Sequence, residues 1–252
     1  MWPLPALGGT HTAGLSSAIC HSLISLYHEF NFDHDKFLEI TGKSMLAFGT
    51  VSNKNSWEEA MAAKIVSGMD LDKLEAFRSA LKDSPVILGL KARGVWEGHS
   101  GRSTIHIGPF ELGGQKIDRE TRHYTIPYGA WREVEEAIGF VGPTDRVEPV
   151  EMALGAVAAC LCNSIALNAP RNGINLEGLE ITVHTDIDPS VLFEVKGPES
   201  HTSCMPKITT EVKVKGDISD EQLKTIERLV HYSPVHGMVE YSNTVESRVS
   251  RA

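Results

Sequence analysis

The chain has 252 residues, enough for one large domain or for an ordinary domain with an appendage. It is 41% hydrophobic and 23% charged, so it can bury a core. A formal charge of -9 at pH 7, with no stripe of clustered Lys and Arg, argues against a nucleic-acid binder and disfavours simple attraction to an anionic membrane surface.

Residues 1–85 read as helical. Leu15, Ile19, Leu23, Leu26 and Phe30 recur at helical spacing, and Phe37, Ile40, Met45 and Phe48 do so less regularly. Asp33 is placed to cap the second helix and Ser56 the third. The fourth segment, Leu71-Leu74-Phe77-Leu81, is an amphipathic stripe that stops at Asp83-Ser84-Pro85, because proline disfavours helix in the residue before it.

Beyond Pro85 the texture becomes β-like. Residues 86–95, 103–107 and 123–126 are candidate strands, separated by turns such as Gly113-Gly114. A short helix is expected in WREVEEAIGF, within 128–142. A long one follows, opened by Pro149 and closed around 170–173. From Met152 to Pro170 there is no charge, but the content is Ala, Gly, Cys, Asn and Ser, which favours a buried core helix over a membrane span. Strands at 179–185 and 207–215 come next, the second alternating strictly from Ile208. Asp217 or Ser219 then opens a helix to Val230, and His231-Tyr232-Ser233-Pro234 breaks it. A helical turn and a last strand at 243–249 complete the chain. Strands on both sides of two helices describe an α+β domain over 86–252, with a helical N-terminal extension over 1–85.

The four cysteines, Cys20, Cys160, Cys162 and Cys204, form no CxxC pair and are too sparse for a disulfide framework, so free thiols in a reducing compartment are expected. The opening MWPLPALGGTHTAG has neither a basic n-region nor a sustained apolar stretch, so no secretory signal is expected there and a cytoplasmic location is.

The order of pieces is distinctive: Trp96-Glu97-Gly98, a Gly-Gly hairpin, PTDRVEPVEMALGAVAACLCNSIAL, GINLEGLEITV, KITTEVKVKGDISDEQL, and HYSPVHGMV. This order resembles the OsmC/Ohr family across roughly residues 86–249, with Pro-x-Glu and Ala-Ala-Cys as the most specific part. The resemblance implies antiparallel sheets around a buried central helix and an intertwined homodimer with its active site at the subunit interface. It also implies a thiol peroxidase acting on organic hydroperoxides. In such enzymes one cysteine attacks the peroxide, a Cys-Pro cysteine resolves the sulfenic acid, and an Arg-Glu pair supports the thiolate. Cys160, in Ala158-Ala159-Cys160, falls on the attacking cysteine. Ser233-Pro234 stands where the Cys-Pro would be. The glutamate position falls on Val150, with Glu151 beside it, and Arg146 and Arg122 are candidates for the arginine.

A cysteine is nucleophilic only as thiolate, and Cys160 sits mid-helix, where the helix dipole has faded. It would depend on Arg146, or on His231 or His236 beside Ser233. A serine cannot close a disulfide, so peroxide reduction by Cys160 needs a thiol from outside or another cysteine of the dimer. Three readings stand together: a peroxidase for a small apolar substrate; a hydrolase or acyl-transfer enzyme with Cys160 as nucleophile and a histidine base; and a non-catalytic binder of an apolar molecule at the dimer interface. Cys160 as a small buried hydrophobe is the plain alternative to all of them.

No cofactor or metal is expected. His201-x-x-Cys204 lacks a second ligand pair and reads as a solvated loop, and His21, His28 and His34 fall on separate helices. Gly98-His99-Ser100-Gly101 reads as a hairpin turn. Glu58-Glu59 and Glu135-Glu136 read as solvated faces. Long additions often form lids, so the N-terminal helices are expected to cover or reshape the pocket.

Overall fold

The computed structural model describes residues 64–241 and 243–251, within the second of the two units into which the chain divides, 63–252. The helices expected before residue 64, with Cys20 and the early histidines, lie outside the described residues.

A two-stranded hairpin, β1 (Ile65–Val66) with β2 (Met69–Asp70), leads into α1 (Leu71–Asp83). The Asp70 carboxylate accepts hydrogen bonds from the backbone N–H groups of Asp72 and Lys73, both at 3.1 Å, as an N-cap does. The helix ends at Ser84, as the proline requires. Glu75 pairs with Arg171 at 2.5 Å, which ties α1 to the turn after the central helix.

Two three-stranded antiparallel sheets follow. One has the order β3 (Leu88–Gly89), β6 (Phe110–Leu112), β7 (Gln115–Ile117), with Gly113 and Gly114 at φ 57 and 81 turning the β6–β7 hairpin. The other has the order β4 (Ala92–Trp96), β5 (Ser103–Ile107), β8 (Tyr124–Tyr128). The single strand expected over 86–95 is therefore two, β3 and β4, which belong to different sheets. Every residue of β4 is exposed, and none of β5 is fully buried.

The short helix α2 (Arg132–Ala137) precedes the central helix α3 (Pro149–Asn168). Glu148 caps α3 in a reciprocal box with Glu151, and Pro149 fills the first turn, where its missing N–H costs nothing. A short 3-10 turn and Gly173, at φ 69, close it. The stretch Pro149–Asn172 is long and apolar enough to cross a membrane by length and composition alone. Val157, Leu161, Ser164 and Ile165 form its buried face. Ala153, Ala156, Ala159, Asn163 and Ala166 lie exposed on the other side. The expectation of a buried helix thus holds for one face only within a single chain.

Strands β9 (Gly178–Thr185) and β10 (Ile208–Lys215) pair antiparallel, with Ile181 opposite Val212 and Leu179 opposite Val214. Their alternation turns these residues inward and Glu180, Glu211 and Lys213 outward. Helix α4 (His201–Cys204) lies in the connection between them. Helix α5 (Asp220–Val230) opens with a Ser219–Gln222 capping box and buries Ile226 and Leu229. The core joins Ile165, Ala169, Ile174, Ile226 and Leu229, with Leu179, Ile181, Val212 and Val214 packed against it. Helix α6 (Pro234–Glu240) follows, packed on α3. Residues 243–249 are not the expected strand: they have no regular structure and pair with no strand among the described residues.

Ile165 is fully buried at the centre of this core. Ile165→Ala is expected to lower unfolding free energy by about 2–5 kcal/mol in urea denaturation, the usual cost of a core cavity. A loss well under 1 kcal/mol would show that α3 does not hold the core together.

Candidate functional site

Cys160 lies in the middle of α3, on the border between its buried and exposed faces, and is partly exposed. Buried Leu161 and Ser164 are on one side of it, exposed Ala156 and Ala159 on the other. Among the described residues no side chain hydrogen-bonds its sulfur. Cys162 is also partly exposed. The helix is held at this level by the Ser164 hydroxyl, which donates to the Leu229 carbonyl of α5 at 3.1 Å.

Ser233, the residue at the Cys-Pro position, is 1% exposed and caps α6, its hydroxyl accepting from the His236 N–H at 3.3 Å. It has a structural task of its own there. His231, at the end of α5, and His236, on α6, both turn Nδ1 toward Glu240 Oε2, at 3.5 and 3.3 Å. Glu151 spends its carboxylate on the Glu148 N–H at 3.1 Å. Nine residues separate it from Cys160, about 13 Å of helix rise, so within one chain the two do not touch.

Arg146 is engaged elsewhere. Its Nη1 reaches both oxygens of Glu97 at 2.9 Å, and the Glu97 carboxylate also accepts from the Thr104 hydroxyl at 2.6 Å. The Thr104 bond, then Arg146, holds the Glu97 carboxyl below its ordinary range. The backbone on which Arg146 sits runs close to Gly129, where a Cβ would come within 2.9 Å of the arginine's own. Arg122 lies over the Phe110 ring, 4.8 Å from its centre.

One acidic residue reverses its sequence reading. Glu135 is fully buried rather than solvated. It accepts from the Thr144 N–H at 2.5 Å and pairs with Arg102 at 3.0 Å. Those bonds, the Thr144 one first, bring its pKa from 4.5 to about 2. Arg102 and Glu97 are the two ends of the β4–β5 turn, which is a hairpin turn as read from Gly98 to Gly101. Glu97–Arg146 and Arg102–Glu135 thus latch this turn to the segment leading into α3. His201 and Cys204 do not converge: the pair is a helical turn rather than a loop, with His201 exposed and Cys204 buried beside Asp188 and Lys196.

Clefts of about 200 and 360 Å³ open along β9 and along β10 and α5, and neither is lined by Cys160, Ser233, His231 or His236. The arrangement around Cys160 is a thiol at a helix border, beside an open helix face.

The described residues form an α+β arrangement of antiparallel sheets and a central cysteine-bearing helix. Residues 142–248 match the family described as OsmC-like protein. Strands β3 to β8 precede that match. Similar solved structures include an OsmC-like protein from Mycoplasma pneumoniae, at 14% identity and a TM-score of 0.41, covering 60% of this chain and 86% of that one. An organic hydroperoxide resistance protein OsmC from Legionella pneumophila is 17% identical, with a TM-score of 0.34 and coverages of 60% and 88%. An OsmC-like hydroperoxide resistance protein from Jannaschia sp. CCS1 is 10% identical, with a TM-score of 0.33 and coverages of 66% and 94%. No curated protein matches the chain.

The low pKa of Glu135 gives a pH test. A carboxylate depressed from 4.5 to about 2 contributes stability that is full above 4.5 and is lost as pH falls toward 2. Acid titration of unfolding is expected to show that loss, and Glu135→Gln to lower Tm at neutral pH and flatten the acid slope. An unchanged Tm and slope in Glu135→Gln would contradict the pairing.

Proposed function

We propose that the chain is a cysteine-dependent enzyme that reduces organic hydroperoxides through Cys160, using an external thiol and working as a homodimer in a reducing, cytoplasmic setting. The observation that carries this reading is Cys160 itself: it stands in the OsmC-like domain, partly exposed and beside an uncovered helix face.

In the first step the Cys160 thiolate attacks the distal peroxide oxygen. The O–O bond breaks, an alcohol leaves with a proton, and Cys160 becomes a sulfenic acid. An external thiol then forms a mixed disulfide and releases water, and a second thiol frees Cys160 as a disulfide of the reductant. Ser233 supports the external route, since a capping hydroxyl offers no sulfur for an internal disulfide.

Support for the dimer comes from surface that one chain leaves open. Among the described residues, small side chains lie exposed on the outward face of α3, and β4 exposes Val95 and Trp96. Burying such apolar area against a second copy is favourable. On this reading the cleft at Cys160 is shared between subunits. Arg146 and Glu151, each bonded within its own chain, are candidates to support the thiolate across that interface. Acyl transfer with a histidine base stands second, because His231 and His236 face Glu240.

Incubation with an organic hydroperoxide, followed by intact-mass analysis, is expected to show addition of one oxygen (about 16 Da), absent in Cys160→Ser. With a thiol present the oxygen is replaced by a mixed disulfide. An unmodified wild-type mass, or the same oxygen addition in Cys160→Ser, would overturn the reading.

A further inference from the structure

We propose that His231, His236 and Glu240 form a binding site for one divalent transition-metal ion of the zinc type. The proposal goes beyond the peroxidase reading and does not rest on it.

Three potential ligand atoms converge here, all within 4.8 Å of one another. His236 and Glu240 are four residues apart on α6, which sets them on one helix face. His231 arrives from the end of α5, across the break made by Ser233-Pro234. The Ser233 cap and Pro234 fix the first turn of α6, and so the start of the helix that presents His236.

The two histidine–carboxylate distances fit an ion better than direct hydrogen bonds. The two Nδ1 atoms stand 3.5 and 3.3 Å from one carboxylate oxygen, Glu240 Oε2. Good N–H···O bonds are about 2.7–3.2 Å long. A tetrahedral ion with bonds of about 2.0–2.1 Å holds its donor atoms about 3.3–3.4 Å apart. His236 Nδ1 is moreover buried without a hydrogen-bond partner, an arrangement that costs free energy unless something satisfies the nitrogen. The imidazoles meet edge to face, 78° apart with centroids 5.7 Å apart, so the rings are not stacked.

The donor set indicates the ion. Two imidazole nitrogens and one carboxylate oxygen suit zinc and its neighbours, whereas calcium and magnesium prefer oxygen alone. His231 is exposed, so a fourth position faces water. Three protein ligands with one open position is the pattern of an ion that can exchange or activate a bound molecule.

The test uses the full chain, stripped with a chelator and titrated with Zn2+ by calorimetry and with Co2+ by visible absorption. One ion per chain, a tetrahedral Co2+ spectrum and a rise in Tm on Zn2+ addition are expected, since the ion clamps the end of α5 to α6. Loss of even an outer partner of a metal ligand costs about 10–100-fold in affinity, so H231A and E240Q should each lose at least that. H184A, removing an exposed histidine elsewhere, on β9, should bind as the wild type. His231 and Glu240 are exposed, so these changes leave the core intact, and Tm measured without metal verifies it. Absence of stoichiometric binding, or equal affinity in wild type, H231A and E240Q, overturns the site.

Discussion

The buried carboxylate of Glu135 governs how the two halves of the described structure meet. It draws on the Thr144 and Ala130 backbone amides and on the Arg102 guanidinium, which itself donates to the Gly142 carbonyl at 2.6 Å. A charge buried without such partners would be prohibitively costly; with them it fixes one geometry. Arg102 ends the β4–β5 turn, and Thr144 lies just ahead of α3, so this one side chain registers the sheet against the helix that carries Cys160. The more exposed Glu97–Arg146 pair repeats the connection from the other end of the turn. His99 adds a third contact, its ring edge-on to Phe140 at 5.0 Å.

From that constraint follows the asymmetry of α3. Its inner face is spent on the β9–β10 pair and α5, where Ile165 and Ala169 are fully buried. Its outer face is built of alanines, a composition that lets another backbone approach closely. Cys160 stands at the boundary, anchored by its buried neighbours yet reachable from outside. On the proposed reading the outer face is covered by a second copy, and the thiol lies in the cleft between them. Ser233 caps α6, a task its hydroxyl performs although it cannot act as a resolving thiol.

Much of the fold was legible because its signals are local. Pro149 and the capping residues mark α3, the alternation from Ile208 marks β10, and the stripe from Leu71 to Leu81 marks α1. Local signals fail where a partner decides. Residues 86–95 are apolar enough for one strand but divide between two sheets, which only long-range pairing settles. Residues 243–249 have strand-like composition and pair with no strand among the described residues. Glu135-Glu136 shows two identical residues, and nothing local says that the first meets an arginine 33 positions earlier. The motif around Cys160 was readable as a local pattern, whereas nothing local shows that Arg146 meets Glu97, Glu151 the Glu148 N–H, and His231 and His236 both Glu240. The i, i+4 spacing of His236 and Glu240 was readable in the sequence, but the approach of His231 to Glu240 across the Ser233-Pro234 break was not.

The account stands or falls on whether the open side of α3 is an interface. Sedimentation of the full chain measures it directly. The account predicts a particle of twice the 27.6 kDa chain mass, reduced to a single chain by Ala159→Glu, which places a charge on that face. A wild-type chain that sediments as a 27.6 kDa monomer at working concentrations would contradict it.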